Sequence, residues 1–279
     1  MTTTIDLDSG KLEILAKRIV EMGEWAASMQ KDLHIRYKED ASPVTEVDLG
    51  ISHEIIKTIR NLFPGCGIIT EEEEVEKSSN PPFVFVLDPI DGTDMYSQGL
   101  PSFCVALGIL DSSYSPVGAV IYAPRFGRAT RDGMLIRLNP GEKPTINGEE
   151  LKITGDKESI WQITASSTLL RFVDFTHYKG KIRMFGSQIL QILAPALFMH
   201  IAVSVNEPCY IWDYAAAHAV IKSLGMDLFT PDMKPFTYSD SFIARNRESA
   251  ITYGGRKDIV KRLREICPPL DGDERIIHY

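Results

Sequence analysis

A buried strand that ends in two carboxylates is the feature that most limits how this chain can fold. The apolar run over residues 83–87 predicts a strand covered on both faces, and Asp88 and Asp91 follow it closely. α/β proteins usually bind ligands at the carboxyl ends of such strands. Because two carboxylates in one short loop repel each other, we expect cations between them. The sequence therefore predicts an α/β fold with a cation site at this strand end.

The rest of this loop has the chemistry of an anion site. Gly92 allows a tight turn that directs main-chain N–H groups at an anion, and Thr93 adds a hydroxyl group. An ordinary polar turn is the alternative, but two carboxylates without partners at the end of an apolar strand would be costly. We therefore expect the loop to hold metal and phosphate together.

Helical and strand-like patterns alternate along the chain. Apolar residues recur at helical spacing over residues 12–27 and 47–62, so two amphipathic helices precede the first strand. Residues 66–138 consist of short β-rich runs, which predict one sheet with a turn at residues 131–133 in its last hairpin. The later elements predicted are helices over residues 188–203, interrupted at Pro195, over 212–224 and over 257–266, and a strand over 242–244.

A segment rich in proline, glycine and charge, residues 139–150, is the best candidate for a boundary. We place an N-terminal half at residues 1–145, which carries the carboxylate loop, and a C-terminal half at residues 146–279, which carries Asp213. A chain of 279 residues is long enough for two packed halves or for one large layered domain.

Composition argues against several classes of partner. The formal net charge is −8, so the chain lacks the excess of basic residues that nucleic-acid-binding proteins usually carry. The four cysteines are widely spaced and form no CxxC pair, which favours free thiols. Neither a signal-peptide pattern nor a run of about 18 apolar residues is visible. We therefore expect a soluble, cytoplasmic protein with no nucleic-acid and no membrane partner.

Four motifs in a fixed order resemble the inositol monophosphatase family of magnesium-dependent phosphatases. They are Val44, Thr45 and Asp48, then Glu71 and Glu72, then DPIDGT at residues 88–93, then WDYAAAHAV at residues 212–220. Each motif alone would be weak, but the four together are specific. The resemblance implies a layered αβαβα sandwich of the inositol monophosphatase and fructose-1,6-bisphosphatase type. It also implies a homodimer, since family members are commonly dimers.

The resemblance further implies a site for two or three Mg²⁺ ions. The metal ligands that it implies are Glu71, Asp88, the Ile90 carbonyl, Asp91 and Asp213, with Asp88 bridging two ions. Oxygen ligands without clustered His or Cys favour magnesium over zinc. Thr93, paired with Asp48, would help to deprotonate an attacking water that the metal has activated, and Glu71 would position that water. Hydrolysis would be direct, without a phosphoenzyme.

The residues that contact substrate are also implied by the resemblance. The phosphate would lie on Asp91 and on the N–H groups of Gly92 and Thr93, while Gly186 and Ser187 match a family segment on the sugar side. Asn206 stands seven residues before Asp213, where the family commonly has a glutamate that contacts substrate hydroxyls. An amide can still bond a diol, but without charge. We therefore expect hydrolysis of inositol monophosphate or a related small sugar phosphate.

Other activities are compatible with the same residues. The fold would also suit a 3'(2'),5'-bisphosphate nucleotidase, a fructose-1,6-bisphosphatase or a catalytically silent phospholigand-binding protein. A haloacid-dehalogenase-type phosphatase is disfavoured, because its two aspartates are two residues apart whereas Asp88 and Asp91 are three apart.

Some of these side chains also have ordinary structural roles to consider. Asp213 could simply cap the helix that follows it, and Asp48 could be a surface residue in the first turn of the second helix. The glutamate run at residues 71–74 could be a solvated charge run, which leaves the assignment of Glu71 open.

Overall fold

A seven-stranded sheet and a five-stranded sheet alternate with layers of helices in this protein. The structure is a computed structural model, and it describes residues 7–37, 43–73, 81–127, 133–155, 157–245, 247–248 and 250–270. Helices α1 (Ser9–Met29) and α2 (Glu46–Leu62) cover one face of the large sheet. Helices α4 (Gln188–Leu197) and α5 (Ile211–Ser223) lie between the two sheets, and α7 (Lys257–Ile266) covers the far face of the small sheet. The layers therefore follow the predicted αβαβα order.

The bounds of the elements are as follows. The helices are α1 (Ser9–Met29), α2 (Glu46–Leu62), α3 (Thr93–Ser97), α4 (Gln188–Leu197), α5 (Ile211–Ser223), α6 (Asp240–Ile243) and α7 (Lys257–Ile266), with a 3-10 turn at Ser167–Arg171. The strands are β1 (Ile35–Tyr37), β2 (Pro43–Thr45), β3 (Gly67–Thr70), β4 (Phe83–Asp91), β5 (Cys104–Asp111), β6 (Pro116–Ala123), β7 (Met134–Leu138), β8 (Thr145–Ile146), β9 (Glu149–Glu150), β10 (Gln162–Ala165), β11 (Lys181–Arg183), β12 (Ile201–Asn206), β13 (Asp227–Phe229) and β14 (Thr252–Gly255).

The first five residues of β4 are apolar because helices cover both faces of the strand. The large sheet runs β3 to β9 in sequence order; β3 pairs with β4 in parallel, and every later pair is antiparallel. Phe85 and Leu87 point into the core under α1 and α2, whereas Val84 and Val86 point into the core around α4 and α5. Burial of each such side chain contributes about 1.5–3 kcal/mol. This core fixes the position of Asp88, the next residue of β4.

The small sheet has the order β11, β10, β12, β14, β13, and all of its strands lie in the proposed C-terminal half. The proposed boundary at residue 145 falls inside strand β8, and the large sheet continues through β9. Helix α5, from the C-terminal half, packs on β4, β5 and β6. The site described below therefore draws on residues from both sides of the proposed boundary.

Most predicted elements are confirmed, and two are wrong. The two helices expected before the first strand are also separated by the short strands β1 and β2. The helix predicted over residues 188–203 ends at Leu197, and β12 begins at Ile201. Pro195 has no N–H for the Gln191 carbonyl, which instead accepts a bond from the Thr164 hydroxyl (3.1 Å). The strand predicted over residues 242–244 overlaps helix α6, whose N-cap is Ser239.

Other expectations have mixed outcomes. The four cysteines are free, as predicted, and three of them are buried. Of the turn predicted at residues 131–133, the first two residues lie outside the described residues. None of the described helices is both long and apolar enough to cross a membrane.

Candidate metal centre

Three aspartates that are far apart in the chain meet at one point. Asp88 and Asp91 lie at the end of β4, on either side of an irregularity in its pairing with β5, and Asp213 lies in the first turn of α5. One carboxylate oxygen from each residue lies within 4.8 Å of those of the other two. The structure thus brings together three of the predicted metal ligands.

Asp88 is the most strongly buried charge of this cluster. Its residue is 1% exposed, and its Oδ1 atom has no hydrogen-bond partner among the described residues. Burial, followed by the charges of Glu71, Asp91 and Asp213, holds the pKa of Asp88 well above its ordinary value. A buried carboxylate oxygen without a donor, facing other carboxylates, is costly unless a cation binds there. The cluster therefore fits a hard divalent cation, which prefers such oxygen ligands.

Asp91 is held in place by the start of helix α4. It accepts backbone N–H bonds from Gln188 and Ile189 (both 3.0 Å), and the Ser187 hydroxyl also donates to it. Burial raises the pKa of Asp91 to about 6, and these hydrogen bonds oppose the rise. Ser187, predicted on the sugar side, is in fact buried, caps α4 and orients Asp91.

Asp213 combines a capping role with its place in the cluster. Its Oδ2 atom accepts the backbone N–H of Tyr210 (2.8 Å), so it does help to cap α5. Burial first, then the charges of Asp91 and Glu71, raise the pKa of Asp213 well above its ordinary value. The two roles are compatible, because a carboxylate has a second oxygen and several lone pairs.

Glu71 directs its charge at the same cluster. It follows the last residue of β3 and is half-buried. Its charge raises the pKa of both Asp88 and Asp213, whereas the charge of Glu72 acts on Asp48. Glu71 thus lies beside the aspartates. The last residue of the glutamate run, residue 74, is outside the described residues.

Asp48 and Thr93 form a polar pair at the edge of the cluster. The Thr93 hydroxyl lies 3.4 Å from Asp48 Oδ1 and donates to the Ile90 carbonyl at 2.8 Å. Asp48 is completely buried and accepts bonds from the N–H (2.9 Å) and hydroxyl (2.6 Å) of Thr45. Burial is the main reason that the pKa of Asp48 rises to about 6. Asp48 therefore faces the interior from the first turn of α2 and is not a surface residue.

Two glycines allow the loop after β4 to contact the start of α4. A Cβ atom on Gly92 (φ +88°) would lie 2.8 Å from the Ser102 carbonyl and 3.2 Å from Ser187 Cβ. A Cβ atom on Gly186 (φ +75°) would lie 2.5 Å from Met95 Cγ. Both positions require left-handed backbone and close contact, which only glycine supplies without strain. Gly186 is exposed beside the loop.

The structure places Asn206, which is predicted to contact substrate, in the interior of the protein. It is the last residue of β12, is completely buried, and donates from Nδ2 to Thr252 on β14 (3.3 Å). The next residue, Glu207, is half-buried; its carboxylate accepts from Thr168, and its charge contributes to the raised pKa of Asp213. Glu207 is thus a carboxylate one position after Asn206, the residue seven positions before Asp213.

A family model and several known proteins match this chain. A model described as the inositol monophosphatase family matches residues 12–262. Inositol monophosphatase 1 of Solanum lycopersicum is 25% identical over 231 residues, 76% of this chain and 80% of that protein. The 3'(2'),5'-bisphosphate nucleotidase CysQ of Aggregatibacter actinomycetemcomitans is 26% identical over 265 residues, 85% of this chain and 93% of that protein.

A solved structure supports the fold. The crystal structure of an IMPase/NADP phosphatase complexed with Mg²⁺ and phosphate superposes with a TM-score of 0.71 at 15% sequence identity. The similarity covers 89% of this chain and 93% of that chain.

Proposed function

Because the chain belongs to the inositol monophosphatase family, whose members hydrolyse phosphate monoesters, we propose that it is a magnesium-dependent phosphatase of inositol monophosphate or a related small sugar phosphate. The observation that carries this proposal is the buried cluster of Asp88, Asp91 and Asp213, whose oxygens lie within 4.8 Å of one another. Three like charges at this distance in the protein interior need a cation to stay ionised at neutral pH.

The residues that would hold magnesium are those of the cluster and its neighbours. Glu71, Asp88, Asp91, Asp213 and the Ile90 carbonyl would hold two or three ions, with Asp88 shared. When bound, magnesium supplies positive charge that lowers the pKa of water and neutralises charge on the phosphate. A fold relative was crystallised with Mg²⁺ and phosphate, which supports this choice of ion.

Proton transfer in the proposed reaction belongs to Thr93 and Asp48. The Thr93 oxygen would accept a hydrogen bond from the attacking water and orient it toward phosphorus. The Thr93 hydroxyl would turn from the Ile90 carbonyl to the Asp48 carboxylate, which lies 3.4 Å away. With a pKa of about 6, Asp48 is ionised at neutral pH and is only a weak base, so it suits a water that has already been acidified.

Phosphate binding would use the backbone of the same loop. The N–H groups of Gly92 and Thr93 would donate to phosphate oxygens, and Asp91 would lie beside them. Contact between Gly92 and the Gly186–Ser187 segment fixes this loop. On the leaving-group side, Glu207 is the carboxylate that we propose accepts hydrogen bonds from a sugar diol, in place of Asn206.

A panel of phosphate monoesters tests the proposal and its main competitors. The panel comprises inositol 1-phosphate, fructose 1,6-bisphosphate, 3'-phosphoadenosine 5'-phosphate and an aryl phosphate, each with magnesium and with a chelator. We expect magnesium-dependent hydrolysis, with inositol 1-phosphate or another small sugar phosphate preferred. Preference for the adenosine bisphosphate would favour the nucleotidase activity of the CysQ relative. No hydrolysis of any ester would contradict a catalytic function.

We also propose a homodimer in a reducing, cytoplasmic setting. A groove of about 510 Å³, lined by Phe126, Phe185 and Phe198, lies beside the exposed side chains of Met184 and Met199. Such an apolar surface would suit a second copy of the chain. Four free thiols fit a reducing compartment. Light scattering coupled to size exclusion would give about twice the 31.2 kDa chain mass if the dimer forms.

A further inference from the structure

Arg245 connects the backbone beside Glu71 with the helix turn that carries Asp213. Its guanidinium donates from Nη2 to the Glu71 carbonyl (2.9 Å) and from Nη1 to the Glu73 carbonyl (3.1 Å). Both carbonyls lie beyond the end of β3, where strand pairing no longer holds the backbone. A planar guanidinium presents its donors in a rigid fork, so it can bind both carbonyls at once.

The same guanidinium lies over an aromatic stack at the start of α5. Its Cζ atom is 5.5 Å from the centre of the Trp212 ring, and Trp212 stacks on Tyr210 with ring centres 4.8 Å apart. Tyr210 also donates its backbone N–H to the Asp213 carboxylate (2.8 Å). One arginine therefore contacts the segments that present Glu71 and Asp213, 142 residues apart in the sequence.

The backbone of Arg245 is held in a conformation that arginine seldom adopts. Its φ is +67°, and its N–H donates to the Phe242 carbonyl (3.1 Å) at the end of α6. Glycine or asparagine usually occupies such a left-handed position after a helix. A Cβ atom makes the conformation unfavourable, so the contacts of the side chain must offset that strain.

We propose that Arg245 is a positioning residue that sets the separation of the Glu71 and Asp213 carboxylates and thereby the divalent-cation affinity of the centre. The inference rests on the metal centre of the proposed function. Magnesium tolerates little deviation from octahedral geometry, so a small shift of one ligand segment lowers affinity. Residues that orient metal ligands without touching the metal typically change affinity by about 10–100-fold when replaced.

Direct binding of Mn²⁺, measured by electron paramagnetic resonance on the full chain, tests this role. We expect Arg245→Met to weaken Mn²⁺ binding about tenfold or more, because Met keeps the aliphatic length but has no donors. Arg245→Lys keeps the charge near Trp212 but lacks the fork, so its affinity should be intermediate. Arg256→Met is the matched control, because Arg256 pairs on the surface with Glu158 and Asp258.

Unfolding of the metal-free proteins separates positioning from a merely structural role. If the inference holds, Arg245→Lys unfolds close to the wild-type temperature without metal, yet gains less stability than wild type when Mn²⁺ is added. Wild-type affinity for Mn²⁺ in both Arg245 variants, or the same loss in Arg256→Met, would overturn the inference. A wild type that binds no Mn²⁺ would instead overturn the metal centre itself.

Discussion

Replacing Asp48 with asparagine should make the metal-free protein more stable and the enzyme much less active. Asp48 is completely buried, and its pKa of about 6 compares with an ordinary value of 3.8. A rise of about two pKa units means that ionised Asp48 destabilises the folded state by about 3 kcal/mol above pH 6. Asparagine removes this charge but weakens the capping bonds from Thr45, at a cost of about 1 kcal/mol. The net gain should be about 2 kcal/mol.

The stability gain of Asp48→Asn should depend on pH, and this dependence identifies the buried charge as its cause. Because the folded pKa of Asp48 is raised, its protonation stabilises the fold fully below pH 3.8, and this stabilisation is lost as pH rises through about 6. In the presence of a chelator at pH 8, Asp48→Asn should therefore unfold about 3 °C above wild type. At pH 4 the advantage should disappear.

Calorimetry with a chelator at pH 8 and pH 4 measures the difference in unfolding temperature between Asp48→Asn and wild type. Asp240→Asn is the control, because Asp240 is an exposed aspartate in the first turn of its helix. The control should not be stabilised. A variant of Asp48 that is less stable than wild type at pH 8, or an advantage that persists at pH 4, would refute the reasoning from buried charge. The activity of Asp48→Asn should fall about 10²-fold or more, because the proton acceptor for Thr93 is lost.

Two further predictions concern chemistry and selectivity. Thr93→Ala should lower kcat about 10²-fold with little change in KM, because the lost hydroxyl acts in the transition state. When the wild type turns over in ¹⁸O-labelled water, the label should appear in the released phosphate. Label in the alcohol product would contradict direct attack on phosphorus. Glu207→Gln should lower the kcat/KM ratio of inositol 1-phosphate to an aryl phosphate about fivefold, since a charge-assisted bond exceeds a neutral one by about 1 kcal/mol. An unchanged ratio would place Glu207 outside the leaving-group side.

Strong local signals in the sequence predicted several elements of the fold, whereas the order of the layers was implied by the resemblance to a family. A run of apolar residues bounded by carboxylates identified β4, and helical periodicity identified α1, α2 and α7. The errors have local causes. Pro195 is tolerated within α4, but the chain becomes β12 soon afterwards, and the cap supplied by Ser239 outweighs the apolar pattern of residues 242–244.

The candidate site was harder to predict, because its details depend on contacts that are distant in sequence. The choice between a helix cap and a metal ligand for Asp213 was open from sequence. In the structure the Asp213 carboxylate caps α5 and also faces Asp88 and Asp91. The substrate-side residue was also hard to choose, because Asn206 is buried at the end of β12 and the half-buried Glu207 follows it. Arg245 gave no sequence signal, since its partners lie 172 and 174 residues away.

The central claim is that the carboxylate cluster binds the divalent ions that phosphate hydrolysis requires. The most direct test is a magnesium titration of phosphate release by wild type and by Asp88→Asn, using the preferred ester of the panel. We predict no turnover with chelator, restoration by magnesium in wild type, and a rate lower by orders of magnitude at every magnesium concentration in the folded variant. Turnover by wild type in chelator, or a wild-type rate in Asp88→Asn, would contradict the claim.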